Sequence, residues 1–332
     1  METYESMLSD QIYRAGSLVD FAAALLTKAG MPNDRADVVA ETLVEGDMLG
    51  HTTHGLQLLP LYLTALTKRQ IQIQGDPTTV ADRGSAITWD GNWLPGPWLV
   101  RRAMDIAFSR IGEHPVVTFV IRRAGHIGCL AVYPRIAAER DLMMLLSCSD
   151  PSVAVVAPSG ATEGRISPNP IAAGWPTETD SVILDICPST TTSGMVARAS
   201  RSGERLPGPW LIDSSGMATD DPAVLSQKPP GAIMPLGGLD LGHKGFALGL
   251  LVEAFTGALA GYGRADQTDH WGATVYMQII DPSAFGGLDA FKRETSYIAN
   301  SCRTAAAGPG QPPVRVPGER ALKLRGQQLE QG

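Results

Sequence analysis

Apolar residues recur at helical spacing over the first part of the chain and then give way to short β-prone runs. Leu18, Phe21, Leu25 and Leu26 keep a period near that of a helix, and Ser17 with Asp20 three positions on reads as a capping box. Gly30 is a natural stop, and Pro32-Asn33-Asp34 restarts a helix that continues through Val38, Leu43 and Met48. A third helix is predicted over Leu56–Lys68, and the polar stretch Gln70–Gly84 is a candidate boundary. Beyond it, strands are predicted at Ala86–Trp89, Val116–Ile121, Leu142–Ser147, Ser181–Ile186 and Thr274–Ile280. Helices over Pro97–Ile111, Cys129–Arg140, Thr190–Ser200 and Lys244–Gly261 alternate with them. Val116–Ile121 is continuously apolar, as a strand covered on both faces should be. Ala305–Gly332, rich in Gly, Pro, Gln and Arg, reads as an extended tail. The alternation predicts an α/β fold, and no internal repeat is visible.

Length and charge narrow the function classes. With 332 residues, two domains are the default. The formal net charge is −7 and no basic run reaches five residues, which argues against nucleic acid as a partner. The 36 glycines and 24 prolines imply many tight turns in an otherwise globular composition. Cys129, Cys148, Cys187 and Cys302 form no CxxC pair, so neither a zinc knuckle nor a thioredoxin-type site is read; the first three lie in or beside apolar runs, as buried reduced thiols do. The N-terminal Met1-Glu2-Thr3-Tyr4-Glu5-Ser6 is unlike a signal peptide. The longest apolar stretch, Phe246–Gly261, contains Glu253 and is too short for a bilayer, so it is read as a core helix. A soluble, cytoplasmic protein with no membrane partner is expected.

Three segments carry chemistry. In Gly50-His51-Thr52-Thr53-His54-Gly55, two histidines suited to proton transfer near neutral pH sit beside hydroxyls that can fix a tautomer. The bland alternative is a helix start capped by Thr53, with incidental histidines. A metal has no third ligand nearby in this segment, so no metal site is read. In Gly125-His126-Ile127-Gly128, the histidine follows the apolar strand, where α/β sheets bind ligands. In Gly237-Gly238-Leu239-Asp240-Leu241-Gly242-His243-Lys244-Gly245, Lys244 could meet a phosphate or a carbonyl, or could simply be exposed on a turn. The order is not that of a Walker A loop. No G-x-G-x-x-G follows a strand and no G-x-S-x-G occurs, which argues against a Rossmann site and against an α/β-hydrolase.

Together with Asn169-Pro170-Ile171-Ala172, Leu184-Asp185-Ile186, Pro235-Leu236 and Pro317-Gly318-Glu319, these segments resemble the type 2 malate/L-lactate dehydrogenase family over roughly residues 10–320. The resemblance implies a non-Rossmann cofactor-binding sheet with a helical N-terminal part, binding NAD or NADP, in a homodimer whose active site is partly closed by the second subunit. It implies hydride transfer between nicotinamide and a 2-hydroxy or 2-oxo acid, or, alternatively, reduction of a cyclic imine on the same scaffold. A binding protein that kept the fold and lost catalysis is the reading from another class. By the resemblance, His54 or His126 transfers the proton and Thr53 assists His54. His126, Ser149 or its neighbour, Asp185, Ile186, Cys187, Lys244 and Pro317-Gly318-Glu319 meet the cofactor, and Asn169 meets the substrate.

Two departures bear on the substrate. Leu58 stands where the family places a carboxylate-binding arginine, so Arg123, Arg165 or Arg198 is expected to replace it, or the substrate lacks a carboxylate there. Ser167-Pro168-Asn169-Pro170 replaces the family's Gly-Thr-Asn-Pro. The expected organisation is a helical part at 1–75 holding the histidine segment, an α/β cofactor domain at 76–294, and a C-terminal helix and tail at 295–332 that returns to the first part.

Overall fold

A computed structural model describes residues 11–332, so the acidic N-terminal hexapeptide lies outside the described residues. Three helices open the chain: α1 (Ala15–Lys28), α2 (Asn33–Met48) and α3 (Leu59–Thr67). They bury a common apolar face in which Leu26, Leu43 and Tyr62 are fully enclosed. Ser17 does not cap α1. The helix starts two residues earlier, after an extended Arg14 that makes no side-chain cap, so Ser17 lies within the first turn. The predicted start of the third helix at Leu56 is instead a 3-10 turn, Leu56–Leu58, and the α-helix begins at Leu59 with Pro60 in its first turn.

The remainder is built on a seven-stranded sheet: β1 (Thr78–Asp82), β2 (Ala86–Asp90), β3 (Val116–Ala124), β4 (Met143–Ser149), β5 (Ile171–Trp175), β6 (Val182–Ile186) and, after a three-stranded excursion, β10 (Ala273–Ile280). The spatial order is β1-β2-β3-β10-β4-β5-β6. Only β2 and β3 run parallel; every other pairing in this sheet is antiparallel. The fold is therefore mixed α/β and not a Rossmann sheet, which is parallel throughout. The last strand threads between β3 and β4, which makes the predicted run Val116–Ile121 central; Val117, Phe119 and Ile121 are fully buried on one face, and Val120 on the other packs with Ala260 and Phe255. Helices α4 (Gly96–Arg110) and α5 (Val132–Ala138) contribute Leu99, Met104, Tyr133 and Ile136 to the same core.

Several expectations are corrected. The boundary stretch Gln70–Gly84 holds β1, an edge strand exposed along its whole length and so without an apolar face to read. β5 was not foreseen, since Ala172, Ala173 and Gly174 carry no β-branched signal. After α6 (Ser193–Ser202), a small sheet forms from β7 (Leu211–Ile212), β8 (Ala218–Thr219) and β9 (Ala232–Ile233). Helix α8 (Leu288–Arg303) straddles the proposed cut at 294, and the tail is not extended throughout, because α9 (Glu319–Gln331) closes it. α9 sets Ala321 and Leu322 against the main core and Arg325 against Glu45 of α2.

Helix α7 (Gly238–Glu253), continued by a π-helical turn over Ala254–Ala258, also differs from the core helix predicted there. It buries chiefly glycines and turns Leu239, Leu241, Leu250 and Leu251 outward. The glycine face exists because the helix lies directly on backbone: a Cβ at Gly245 would fall 2.3 Å from the Leu236 nitrogen and 2.6 Å from the Pro188 oxygen. Neither atom can yield without moving the chain. Gly245→Ala should therefore destabilise the protein by about 1–3 kcal/mol or more in denaturant unfolding. Gly112→Ala, where a Cβ meets nothing within 4 Å, should stay within about 0.5 kcal/mol of the parent. Equal stability of the two variants would refute the close-contact account of α7.

Candidate active site

The histidine segment leaves α2 through a short 3-10 turn, Thr52–His54. Gly55 lets this turn be pinned from behind: a Cβ there would fall 2.0 Å from the Asp47 carboxylate. With no side chain in the way, Asp47 Oδ2 accepts the Leu56 N–H at 2.8 Å. The His54 ring then lies 3.1 Å, Nδ1 to Oγ1, from the Thr53 hydroxyl. Thr53 is thus a tautomer-fixing neighbour of His54 and not the cap of a helix at Leu56.

The second histidine arrives from the loop after β3. The His126 ring stacks on His54 at 5.9 Å between centroids and on Trp271 at 5.1 Å, so the three rings form one column. Tyr62 meets His126 edge-on and donates its hydroxyl to the His126 carbonyl at 2.6 Å. The Gly128 N–H donates to His126 Nδ1 at 3.1 Å, which leaves Nε2 as the protonated nitrogen of the neutral ring. Burial, and secondarily the neighbouring His54, hold the His126 pKa down to about 3. Burial also lowers that of His54, with His51 adding to the effect, while the Asp185 carboxylate opposes it. The two rings therefore differ: His126 is a fixed neutral donor and His54 is the one that can titrate.

Both rings line a cavity of about 520 Å³. Thr53, Ser149, Asp185 and Cys187 line it too, as do Cys129, Cys148 and the hydroxyl-rich run Ser189–Ser193. The Thr191 hydroxyl is buried there without a partner. Asp185 Oδ2 accepts the Ala131 N–H at 2.9 Å and lies 3.8 Å from Cys129 Sγ. Gly50 and His51 also border a second groove, which holds Pro317, Gly318, Arg315 and Arg320, so the two spaces share a wall.

Other expected site residues stand elsewhere. Ile186 is outside the cavity because successive strand residues point to opposite faces: Asp185 and Cys187 look in, and Ile186 looks out. Lys244 lies exposed on the first turns of α7 and does not line the cavity. Glu319 does not line the groove; it accepts the Val316 N–H at 3.0 Å and pairs with Arg303. Arg123, together with Arg122, is committed to Asp90, and Arg165 pairs with Glu163 at the surface. Arg198, exposed at the cavity rim on α6, has no carboxylate partner among the described residues. Leu58 packs into the N-terminal helical core and is not part of the cavity wall.

Asn169 reaches the cavity wall, but its amide is fully engaged away from it. Nδ2 donates to the Gly249 carbonyl at 3.0 Å and to Glu253 at 2.9 Å, while Oδ1 accepts from Ser167. Arg264 braces this set, donating to Glu253 at 2.8 Å, to the Val153 carbonyl at 2.6 Å and to Ser167 at 3.1 Å. Asn169 thus shapes the wall through its backbone, held at φ +51°. Ser149 likewise bonds Thr256 of the π-helical turn at 2.8 Å. Two participants escaped sequence reasoning. Trp271 carries no local motif, and Cys129 joins His51 and Asp185 only through the fold.

The family model described as malate/L-lactate dehydrogenase matches residues 14–332. An L-lactate dehydrogenase of Cupriavidus necator is 30% identical over 92% of this chain and 88% of its own. A malate dehydrogenase structure from Pyrococcus horikoshii superposes with a TM-score of 0.85 at 25% identity, covering 96% of this chain and 90% of that one. A Δ1-piperideine-2-carboxylate reductase structure from Pseudomonas syringae gives 0.84 at 25% identity, covering 96% and 95%. The chain belongs to the malate/L-lactate dehydrogenase family and is an oxidoreductase acting on CH–OH groups.

Proposed function

We propose that this protein interconverts a 2-hydroxy acid and its 2-oxo acid with NAD or NADP as hydride carrier. The observation that carries the reading is the column of His54 and His126 at one wall of a cavity that also holds Asp185, Cys187 and an unpartnered Thr191 hydroxyl. Such a cavity, sharing a wall with a second groove that contains Pro317 and Gly318, suits an elongated dinucleotide. In this reading Ser149, Asp185, Cys187, Pro317 and Gly318 hold it, supported by their positions in the cavity and groove linings. The bound nicotinamide would supply or accept the hydride.

In the oxidation direction His54 takes the hydroxyl proton, with Thr53 fixing the ring. Neutral His126 donates from Nε2 to the substrate oxygen, an electrophilic role that suits a ring kept uncharged by burial. In this reading Arg198, at the cavity rim, meets the substrate carboxylate. Two other features extend the reading. The outward leucines of α7 leave an apolar face that a second copy would cover, supporting a homodimer. Reduction of a cyclic imine acid remains the second reading, favoured by the likeness to the piperideine-carboxylate reductase structure.

Absorbance of reduced nicotinamide tests the reaction, using 2-hydroxy acids with NAD and NADP, and 2-oxo acids and cyclic imines with the reduced forms. Turnover of imines alone would select the second reading. Turnover of none, with no calorimetric cofactor binding, would overturn both and favour a binding protein. His54→Ala should lower kcat about 10²–10⁴-fold with cofactor affinity retained. Because the His54 pKa lies below its usual 6.5 and oxidation needs the neutral ring, kcat/KM for oxidation should still be near its plateau at pH 6.5 and fall only at more acidic pH. A midpoint at or above 6.5 that vanishes in His54→Ala would contradict the burial argument.

Arg198→Ala should raise KM for the acid substrate about two- to fivefold with a smaller change in kcat, whereas Arg123→Ala should leave KM near that of the parent. The opposite pattern would move the carboxylate contact to Arg123. Light scattering should give a dimer, and Leu250→Asp on the outer face of α7 should shift it toward monomer; an unchanged dimer would place the interface elsewhere.

A further inference from the structure

Three side chains of different chemistry converge at the cavity, and one of them, His51, also borders the groove. One donor atom each of His51, Cys129 and Asp185 lies within 4.8 Å of the other two. They come from the turn after α2, the loop after β3 and the end of β6, so no local motif unites them. We propose that this trio is a binding site for a soft divalent cation, best matched by zinc, and that its occupation switches the dehydrogenase off.

The donor set selects the ion. A thiolate and an imidazole favour zinc over magnesium or calcium, which take oxygen ligands. One sulfur, one nitrogen and one carboxylate oxygen make three protein ligands of a tetrahedral site, with water in the fourth position. Zinc holds such ligands at about 2.0–2.3 Å, so tetrahedral donors stand roughly 3.3–3.8 Å apart. The Cys129 Sγ to Asp185 Oδ2 separation of 3.8 Å already meets that spacing. The remaining adjustment falls to the His51 ring, which is partly exposed and can turn, whereas Cys129 and Asp185 are held by the core and by the Ala131 N–H. That hydrogen bond is the outer contact which typically orients a ligating carboxylate. On binding, the Cys129 thiol releases its proton to solvent as the sulfur–zinc bond forms. Nothing is oxidised or reduced.

Inhibition follows from position. The site takes Asp185, whose charge acts on His54, and sits at His51, the side chain common to cavity and groove. A cation there would compete with anything that must lie across both.

Cobalt(II), a spectroscopic stand-in for zinc, gives a readout that does not depend on turnover. Added to the full-length protein without cofactor, it should produce a thiolate-to-cobalt charge-transfer band that zinc displaces stoichiometrically. Cys129→Ser should abolish the band and weaken zinc inhibition at least about a hundredfold, since loss of outer contacts alone costs about 10–100-fold. Its zinc inhibition is scored against its own uninhibited turnover, so any change in basal rate drops out of the comparison. His51→Gln should abolish the band independently, which keeps the test sound if one variant folds poorly. Cys302→Ser, on exposed α8, should retain it. No band and no zinc binding at micromolar metal, or a band lost in Cys187→Ser but kept in Cys129→Ser, would overturn the assignment. Because the band needs no substrate, failure of the metal site and failure of the dehydrogenase reading are distinguishable.

Discussion

The site is organised around one carboxylate. Asp185 stands near the end of β6, two strands from the nearest β10 pairing, and its Oδ2 accepts the Ala131 N–H from the loop after β3. That single bond ties the outer strand of the sheet to the loop that also delivers His126. The same carboxylate faces His54 and opposes the loss of charge that burial imposes on it. A side chain unable to accept the bond would leave a buried N–H unsatisfied, at a cost of about 1–3 kcal/mol, and would change the field at His54 as well. Structure and chemistry therefore meet in one group. The backbone pin at Leu56, supplied by Asp47, is its counterpart on the helical side of the cavity.

Two histidines of equal intrinsic chemistry are separated by their surroundings. His126 lies within a column closed by Trp271 and edged by Tyr62, and accepts the Gly128 N–H; desolvation there, with His54 beside it, disfavours its charged form. His54 keeps the Thr53 hydroxyl within reach, and the Asp185 charge favours its protonated form. One fold thus holds a neutral hydrogen-bond donor and a titrating base about 6 Å apart, told apart by their surroundings.

Much of this was legible in the sequence wherever burial left a periodic trace. The three opening helices and the continuous apolar strand at Val116–Ile121 follow from side-chain pattern, and the histidine segments lie at the cavity. What could not be read has physical causes. β1 is exposed on both faces, β5 is built of small residues, and α9 carries few apolar side chains, all on one face. Among site residues, Asp185 and Cys187 flank Ile186, yet alternation along β6 excludes Ile186 from the wall. Arg123 and Arg198 are equally plausible by composition, and only the buried Asp90 beside Arg123 separates them. Asn169 carries the right chemistry for a substrate contact, but both its amide N–H groups are taken, by the Gly249 carbonyl and by Glu253, and its oxygen accepts from Ser167.

These placements bear on how a substrate would be selected. In the proposed reaction the acid end meets Arg198, an exposed side chain at the rim, where an ion pair in water contributes only about 0.2–1 kcal/mol until the site is closed over it. The hydroxyl end meets half-buried His54 and His126 and the buried Thr191 hydroxyl, where a missing hydrogen bond leaves an enclosed partner unsatisfied. Discrimination of this kind is asymmetric: buried polar groups reject a molecule lacking the hydroxyl far more strongly than a rim cation rejects one with a different acid group. Leu58 points the same way. Set into the helical core, it leaves the cavity without a clamp at that position. The geometry therefore suits a site strict about the reacting carbon and tolerant of what lies beyond the carboxylate, and any covering of the rim by a second copy would tighten the tolerant end first.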